Sequence, residues 1–319
     1  MAFHWSSIIT AIGLLTIAKS SYNLLHLVWL HALRPSQLAK YRHAAPSWAL
    51  VSGSSDGIGL ELARELLAQG FNVFIHGRNA TKLQKVKETL STQFPSRGIE
   101  LIVADATSPD VDYATIAQQT ASVPGKLTVL INCVGGIPMD PICVPLDQQT
   151  GDSIDEQIAM NARFPTRLTA ALLPQLKRNG PSLILNAGSF AGLVGMPYIA
   201  TYTATKAYVH TFTRALRAEL AADNASDVEV QGSLIGDTAS SRNEAKDGGL
   251  KVSAADCAKG MLGKVGCGET LIAPAWKHWI TGVGLLAMPE SVGRKALLPE
   301  MRKRREEEMA KREDERKAV

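Results

Sequence analysis

The stretch "WALVSGSSDGIGLELARELLAQGFNVFIHGRN" restricts the fold more than any other part of the chain. Residues 48–52 form a short apolar run of strand type, and the glycine-rich turn "GSSDGIG" follows. Leu60, Ala63, Leu66 and Leu67 then recur at helical spacing, and "FNVFIHG" reads as the next strand. Strand, turn, helix and strand make a βαβ unit, which crosses over right-handed and sets its strands parallel.

Gly53, Gly57 and Gly59 let the backbone approach a pyrophosphate at the positive N-terminus of the helix, with Ser55, Asp56 and Ile58 in the same turn. Their spacing is G-x-x-x-G-x-G. At the end of the second strand an acid would hold a ribose 2′-hydroxyl, whereas an arginine accommodates a 2′-phosphate. The chain has "HGRN" there, so Arg78 is the candidate phosphate ligand and NADPH the expected cofactor.

The alternation continues. Strands are expected near 99–103, 126–131, 182–187, 228–233 and 269–273, with helical patterns between them. Seven strands separated by helices imply an α/β fold with a single doubly wound parallel sheet. The domain reading is residues 1–46 as membrane anchor and linker, 47–273 as the catalytic domain, and 274–319 as an apolar segment with a charged tail.

Charge excludes one class of partner. The net charge of +4 is half carried by the tail from Met301, which has eight basic and six acidic residues. The remainder is close to neutral, and nucleic-acid binding needs a basic stripe. Cys133, Cys143, Cys257 and Cys267 show no C-x-x-C spacing and no matching histidine pair, so neither a metal site nor a disulfide framework is expected. They read as small buried hydrophobes in a reducing compartment.

Residues 8–33 are mostly apolar, interrupted by Lys19, Asn23 and His26. Spanning a bilayer takes about 20 such residues. A tilted single span, an interfacial hairpin of two shorter pieces, and an amphipathic helix packed on the rest of the chain all fit this pattern. We read it as a membrane anchor. Arg34, Lys40 and Arg42 follow it, which places the bulk of the chain in the cytosol. Near the other end, "LIAPAWKHWITGVGLLAMPESVG" suits either a membrane interface or packing at a substrate mouth, and the closing tail reads as a solvated helix.

Tyr202 stands one helical turn before Lys206 in "ATYTATKAYVH", Ser189 just past the fifth strand, and Asn161 in the helix before that strand. In an open α/β sheet, strand carboxyl ends converge on one crevice, so these four residues can meet there. A Tyr–Lys pair alone would more often be a surface pair. His210 and His278 have no partner at a telling spacing and read as structural; Tyr198 and Tyr208 lack a lysine one turn on.

Over roughly residues 47–273 the chain resembles the short-chain dehydrogenases/reductases, whose fold is Rossmann-type. "GSSDGIG" resembles their T-G-x-x-x-G-I-G turn with Ser52 in place of threonine. "NCVGG" resembles N-N-A-G, keeping Asn132 but substituting Cys133 and Val134. The resemblance makes Asp105 an adenine contact, Asn132 a further cofactor contact, and Asn161, Ser189, Tyr202 and Lys206 the catalytic set, with Tyr202 and Lys206 also cofactor contacts. The usual Pro-Gly after the sixth strand is "LIGDTASS" here; Gly236 and Thr238 are left to serve the nicotinamide.

The flanks, with "RPSQLAKY" and "APAWKHW", resemble the microsomal branch that contains very-long-chain 3-oxoacyl-CoA reductases and 17β-hydroxysteroid dehydrogenases. That implies a lipophilic ketone or acyl-CoA substrate, an endoplasmic-reticulum location, and a homodimer or elongation-complex partners as candidates. Two alternatives stand beside fatty-acid elongation. One is reduction of a steroid, polyketide or terpenoid ketone, with specificity set around 237–265. The other is a noncatalytic NADP(H)-binding membrane scaffold. The final "RKAV" resembles a dilysine retrieval signal.

Overall fold

The computed structural model describes residues 5–225, 227–239 and 250–317. The strands are β1 (Ser47–Val51), β2 (Asn72–Gly77), β3 (Ile99–Val103), β4 (Lys126–Asn132), β5 (Ser182–Ser189), β6 (Val228–Ile235), β7 (Thr238–Ala239), β8 (Val252–Ser253) and β9 (Leu271–Ile272). The helices are α1 (Trp5–Val28), α2 (Gly57–Ala68), α3 (Ala80–Gln93), α4 (Tyr113–Ala121), α5 (Gly151–Ile158), α6 (Phe164–Arg178), α7 (Ala200–Ala222), α8 (Ala254–Gly263), α9 (Trp276–Leu286) and α10 (Glu290–Lys317).

Seven strands form one sheet in the order β3-β2-β1-β4-β5-β6-β9, and every adjacent pair is parallel. This is the doubly wound order expected from the alternating pattern. The strands read as unbroken apolar runs because helices cover both faces of the sheet. Along β1, Ala49 and Val51 enter one core with Leu62 and Leu66 of α2 and Met261 of α8. Trp48 and Leu50 point the other way, into a second core with Leu168 and Leu172 of α6 and Leu216 of α7. The period of two along a strand is thus visible as two separate cores.

The strand order reverses between β1 and β4, and the crevice for a ligand opens beyond their carboxyl ends. β7 and β8, which the sequence pattern did not announce, pair with each other. They bracket part of the substrate-specificity stretch expected around 237–265; residues 240–249 lie outside the described residues.

The helix begun by α1 continues through a wider π-type turn, and Ser6–Leu33 is 28 residues long and apolar enough to cross a membrane. Its large apolar side chains, Ile9, Leu15 and Leu25 among them, face outward. The chain then returns to the α/β body. Ser36 Oγ donates to Leu262 O at 2.6 Å, Leu38 and Tyr41 are fully buried, and the Tyr41 hydroxyl donates to Glu229.

The tail differs from its expectation. It is helical, as α10, but one face is packed rather than solvated. Met301 is 3% exposed and joins Cys143 and Ile199 in a small core. Arg305 stacks on the Tyr198 ring at 5.1 Å, and Glu308 accepts from the Cys143 backbone N–H at 2.9 Å. Residues 301, 305 and 308 share one helical face. The many charges hid it, because long charged side chains also cover protein surface. Of the last "RKAV", residues 318 and 319 lie outside the described residues.

Helix α9 has a packed side and an exposed side. Its inner side is packed: His278 is buried against Gly236, and Gly282 lies against the Phe190 ring. Its outer side exposes Trp276, Ile280 and Leu286.

Candidate active site

The turn after β1 is built by its own small side chains. Ser52 Oγ accepts from the N–H groups of Cys133 and Val134 at 3.0 and 3.1 Å, tying the ends of β1 and β4 together. Ser54 Oγ donates to Val51 O and accepts from His76 N, at 2.9 and 2.8 Å. Gly53 adopts φ +70°, and a Cβ there would fall 2.7 Å from Val134 Cα. A Cβ on Gly59 would fall 2.2 Å from Gly53 O, so helix and turn touch backbone to backbone. Asp56 caps α2, accepting from Gly57 N at 2.7 Å.

A cleft of about 380 Å³ opens over this turn. Gly53, Ser55, Asp56, Gly57, Ile58 and Gly59 line it, as do Arg78 and Asp105. Lys82 lines it too, and its Nζ lies 2.9 Å from Asp56 Oδ2. The sequence reading passed over Lys82, although it stands one turn past Arg78 at the start of α3. It also passed over His76. That ring is buried and stacks on Phe164, and its Nδ1 accepts from Gly53 N at 3.1 Å. Burial pushes the His76 imidazole down to about 4 against an opposing pull from Asp105, so the ring is the neutral acceptor this bond requires.

Ser189, Tyr202 and Lys206 line the same cleft. Ser189 is the last residue of β5, and its Oγ accepts from Ala191 N at 3.2 Å. Tyr202 and Lys206 lie one turn apart on α7. Lys206 is buried, its Nζ donating to Ala187 O at 2.9 Å and sitting 5.7 Å from the Tyr202 ring centroid. Asn161 occupies a π-type turn, 159–163, that joins α5 to α6. Such a turn inserts one residue and re-aims a side chain. Asn161 Oδ1 accepts from Gly136 N at 2.9 Å, and its Nδ2 donates to Gly136 O at 2.8 Å and Gln157 O at 2.9 Å.

Two expected cofactor residues lie off the cleft wall. Asn132 sits beneath it, donating to Thr169 Oγ1 and Asn186 Oδ1 at 2.8 Å each. Thr238 is buried and bonds Gly236 O at 3.2 Å; Gly236 itself lines the cleft. Cys133 also lines it, and burial raises its thiol to about 11, which keeps it protonated.

The fit to a dinucleotide rests on this chain's own geometry. Gly53, Gly57 and Gly59 line the cleft at the N-terminus of α2, with Gly53 and Gly59 placed where a Cβ would collide with neighbouring backbone, and two cations, Arg78 and Lys82, stand at the β2 end. A family model for short chain dehydrogenases matches residues 47–248.

The chain belongs to the short-chain dehydrogenase family.

Like other members it is an oxidoreductase. A very-long-chain 3-oxoacyl-CoA reductase of Pyricularia oryzae is 30% identical over 85% of this chain and 82% of its own length. One of the same name from Kluyveromyces lactis is 36% identical, with 60% of this chain matched to 55% of its length. A short-chain dehydrogenase from Sphingobium yanoikuyae, solved in complex with NADPH, superposes with a TM-score of 0.63 at 25% identity, covering 75% of this chain and 92% of that one.

Proposed function

We propose that this short-chain dehydrogenase is a membrane-anchored, NADPH-dependent ketone reductase of the endoplasmic reticulum. Its catalytic part faces the cytosol and reduces a very-long-chain 3-oxoacyl-CoA to the 3-hydroxyacyl-CoA. The observation that carries the reading is that Ser189, Tyr202 and Lys206 line the same cleft as the glycine-rich turn. The names of the relatives supply the substrate class, and Ser6–Leu33 supports the anchor.

Bound NADPH would supply the hydride. Gly53, Gly57 and Gly59 would hold its pyrophosphate, Asp105 its adenine, and Arg78 with Lys82 its 2′-phosphate. Tyr202 donates the proton to the substrate oxygen. The ammonium of Lys206 stabilises the phenolate left behind. Ser189 donates a hydrogen bond to the same oxygen as charge develops on it.

Asn161 and Lys206 also line a second cavity of about 10 Å³, close to the volume one water needs. A water there would relay a proton from solvent to Lys206, restoring the proton that Tyr202 gives up. The positioned Ser–Tyr–Lys set argues against a noncatalytic scaffold.

The test is NADPH oxidation by the detergent-solubilised full chain with a long-chain 3-oxoacyl-CoA and, separately, keto-steroids. Turnover of the acyl-CoA is the expected result. Turnover of keto-steroids alone would move the enzyme to another ketone class, and no turnover with tight NADPH binding would favour the scaffold.

A further inference from the structure

β4 pairs with β5 only as far as Asn132 opposite Asn186, whereas β6 stays paired through Ser189. The last turn of β5 therefore has a strand on one side only. Its backbone groups on the other side still need partners, since an unmade buried hydrogen bond is costly.

Two side chains from α7 supply them. Lys206 Nζ donates to Ala187 O at 2.9 Å, and His210 Nε2 lies 3.3 Å from Ser189 N. Tyr202, Lys206 and His210 stand at successive helical turns, so one face of α7 holds all three. The imidazole fits closely between two glycines that flank Ser189. A Cβ on Gly188 would fall 2.6 Å from His210 Nε2, and one on Gly192 would fall 2.8 Å from Cε1. The ring is 2% exposed, and its Nδ1 is buried without a protein partner among the described residues.

We propose that His210 is a positioning residue for Ser189, its neutral ring accepting the Ser189 backbone N–H where β4 has ended. The bond needs Nε2 bare and the ring proton on Nδ1, because an Nε2–H would face the Ser189 N–H donor to donor. Burial, with Lys206 and Arg214 nearby, holds the imidazole down to about 4, which keeps it neutral at working pH. The role rests on the proposed hydrogen bond from Ser189 to the substrate oxygen. A displacement of that hydroxyl by 1 Å would cost roughly a hundredfold in rate.

The test uses the full chain in detergent and two substitutions. His210→Leu removes the acceptor, and His210→Gln places an amide oxygen at similar reach. His210→Leu is expected to lower kcat roughly ten- to a hundredfold, leaving NADPH affinity within about twofold, while His210→Gln recovers most of the loss. In the wild type, ¹⁵N NMR of labelled histidine, assigned by the signal His210→Gln removes, is expected to show the Nδ1–H tautomer. An Nε2–H tautomer, unchanged kcat in the leucine variant, or equal loss in both variants overturns the proposal. If the leucine variant does not fold, the tautomer and the glutamine variant's near-wild-type kcat decide it. Wild-type inactivity on every ketone would instead overturn the functional reading, and the tautomer alone would then judge the bond.

Discussion

Asn161 Oδ1 and Lys206 Nζ converge on the backbone of Gly135, where an added Cβ would fall 2.8 Å from the first and 3.1 Å from the second. Gly135→Ala would drive a methyl between the two groups proposed to share a relay water. We expect kcat to fall roughly tenfold or more, with little change in NADPH affinity, since a small misplacement in a catalytic site is costly. Steady-state kinetics beside a NADPH titration check this; an alanine variant with wild-type kcat would remove Asn161 from the relay.

Arg78 and Lys82 stand together at the β2 end of the cleft. A charged hydrogen bond contributes about 1.5–3 kcal/mol, so Arg78→Ala should weaken NADPH roughly ten- to a hundredfold and leave NADH nearly unchanged. Lys82→Ala should act in the same direction but less, because Lys82 also pairs with Asp56. Equal loss for both cofactors would assign these cations a structural role.

Met301 of α10 is buried beside Cys143 and Ile199, and Tyr202 packs against the same cluster. Met301→Ala should cost about 2–5 kcal/mol if α10 unfolds with the catalytic body. Thermal and urea melts of the full chain read this. An unchanged melting curve would mean that the tail is held only loosely.

His76 and His210 are both held near 4, well below the ordinary 6.5. Between those values the unfolded chain binds more protons than the folded one, so stability rises with pH. It should be complete above pH 6.5 and be lost as pH falls toward 4, by up to about 1.4 kcal/mol per pH unit for each histidine. Melts at pH 7 and pH 5 check the sign, and His76→Gln should flatten the slope.

Much of this was legible from local pattern. The βαβ opening, the seven-strand sheet and the positions of Ser189, Tyr202 and Lys206 follow from glycine spacing, apolar runs and one helical turn. What escaped depends on contacts distant in sequence. His76 and His210 look like ordinary histidines until the fold places their rings on Gly53 and Ser189. The π-type turn at Asn161 leaves no mark in the periodicity of "IAMNARFP". The packed face of α10 was masked by its charges, and its single buried methionine carries no signal alone. Asn132 matched a motif, yet it serves the cleft from beneath.

The most direct measurement is kcat of Tyr202→Phe against wild type for NADPH-dependent reduction of a long-chain 3-oxoacyl-CoA, with NADPH affinity measured on both. The account predicts a loss of about 10²–10⁴ in kcat with cofactor binding retained, the range for removing a positioned general acid. A phenylalanine variant that keeps wild-type turnover would contradict it, and the proton would have to come from another group.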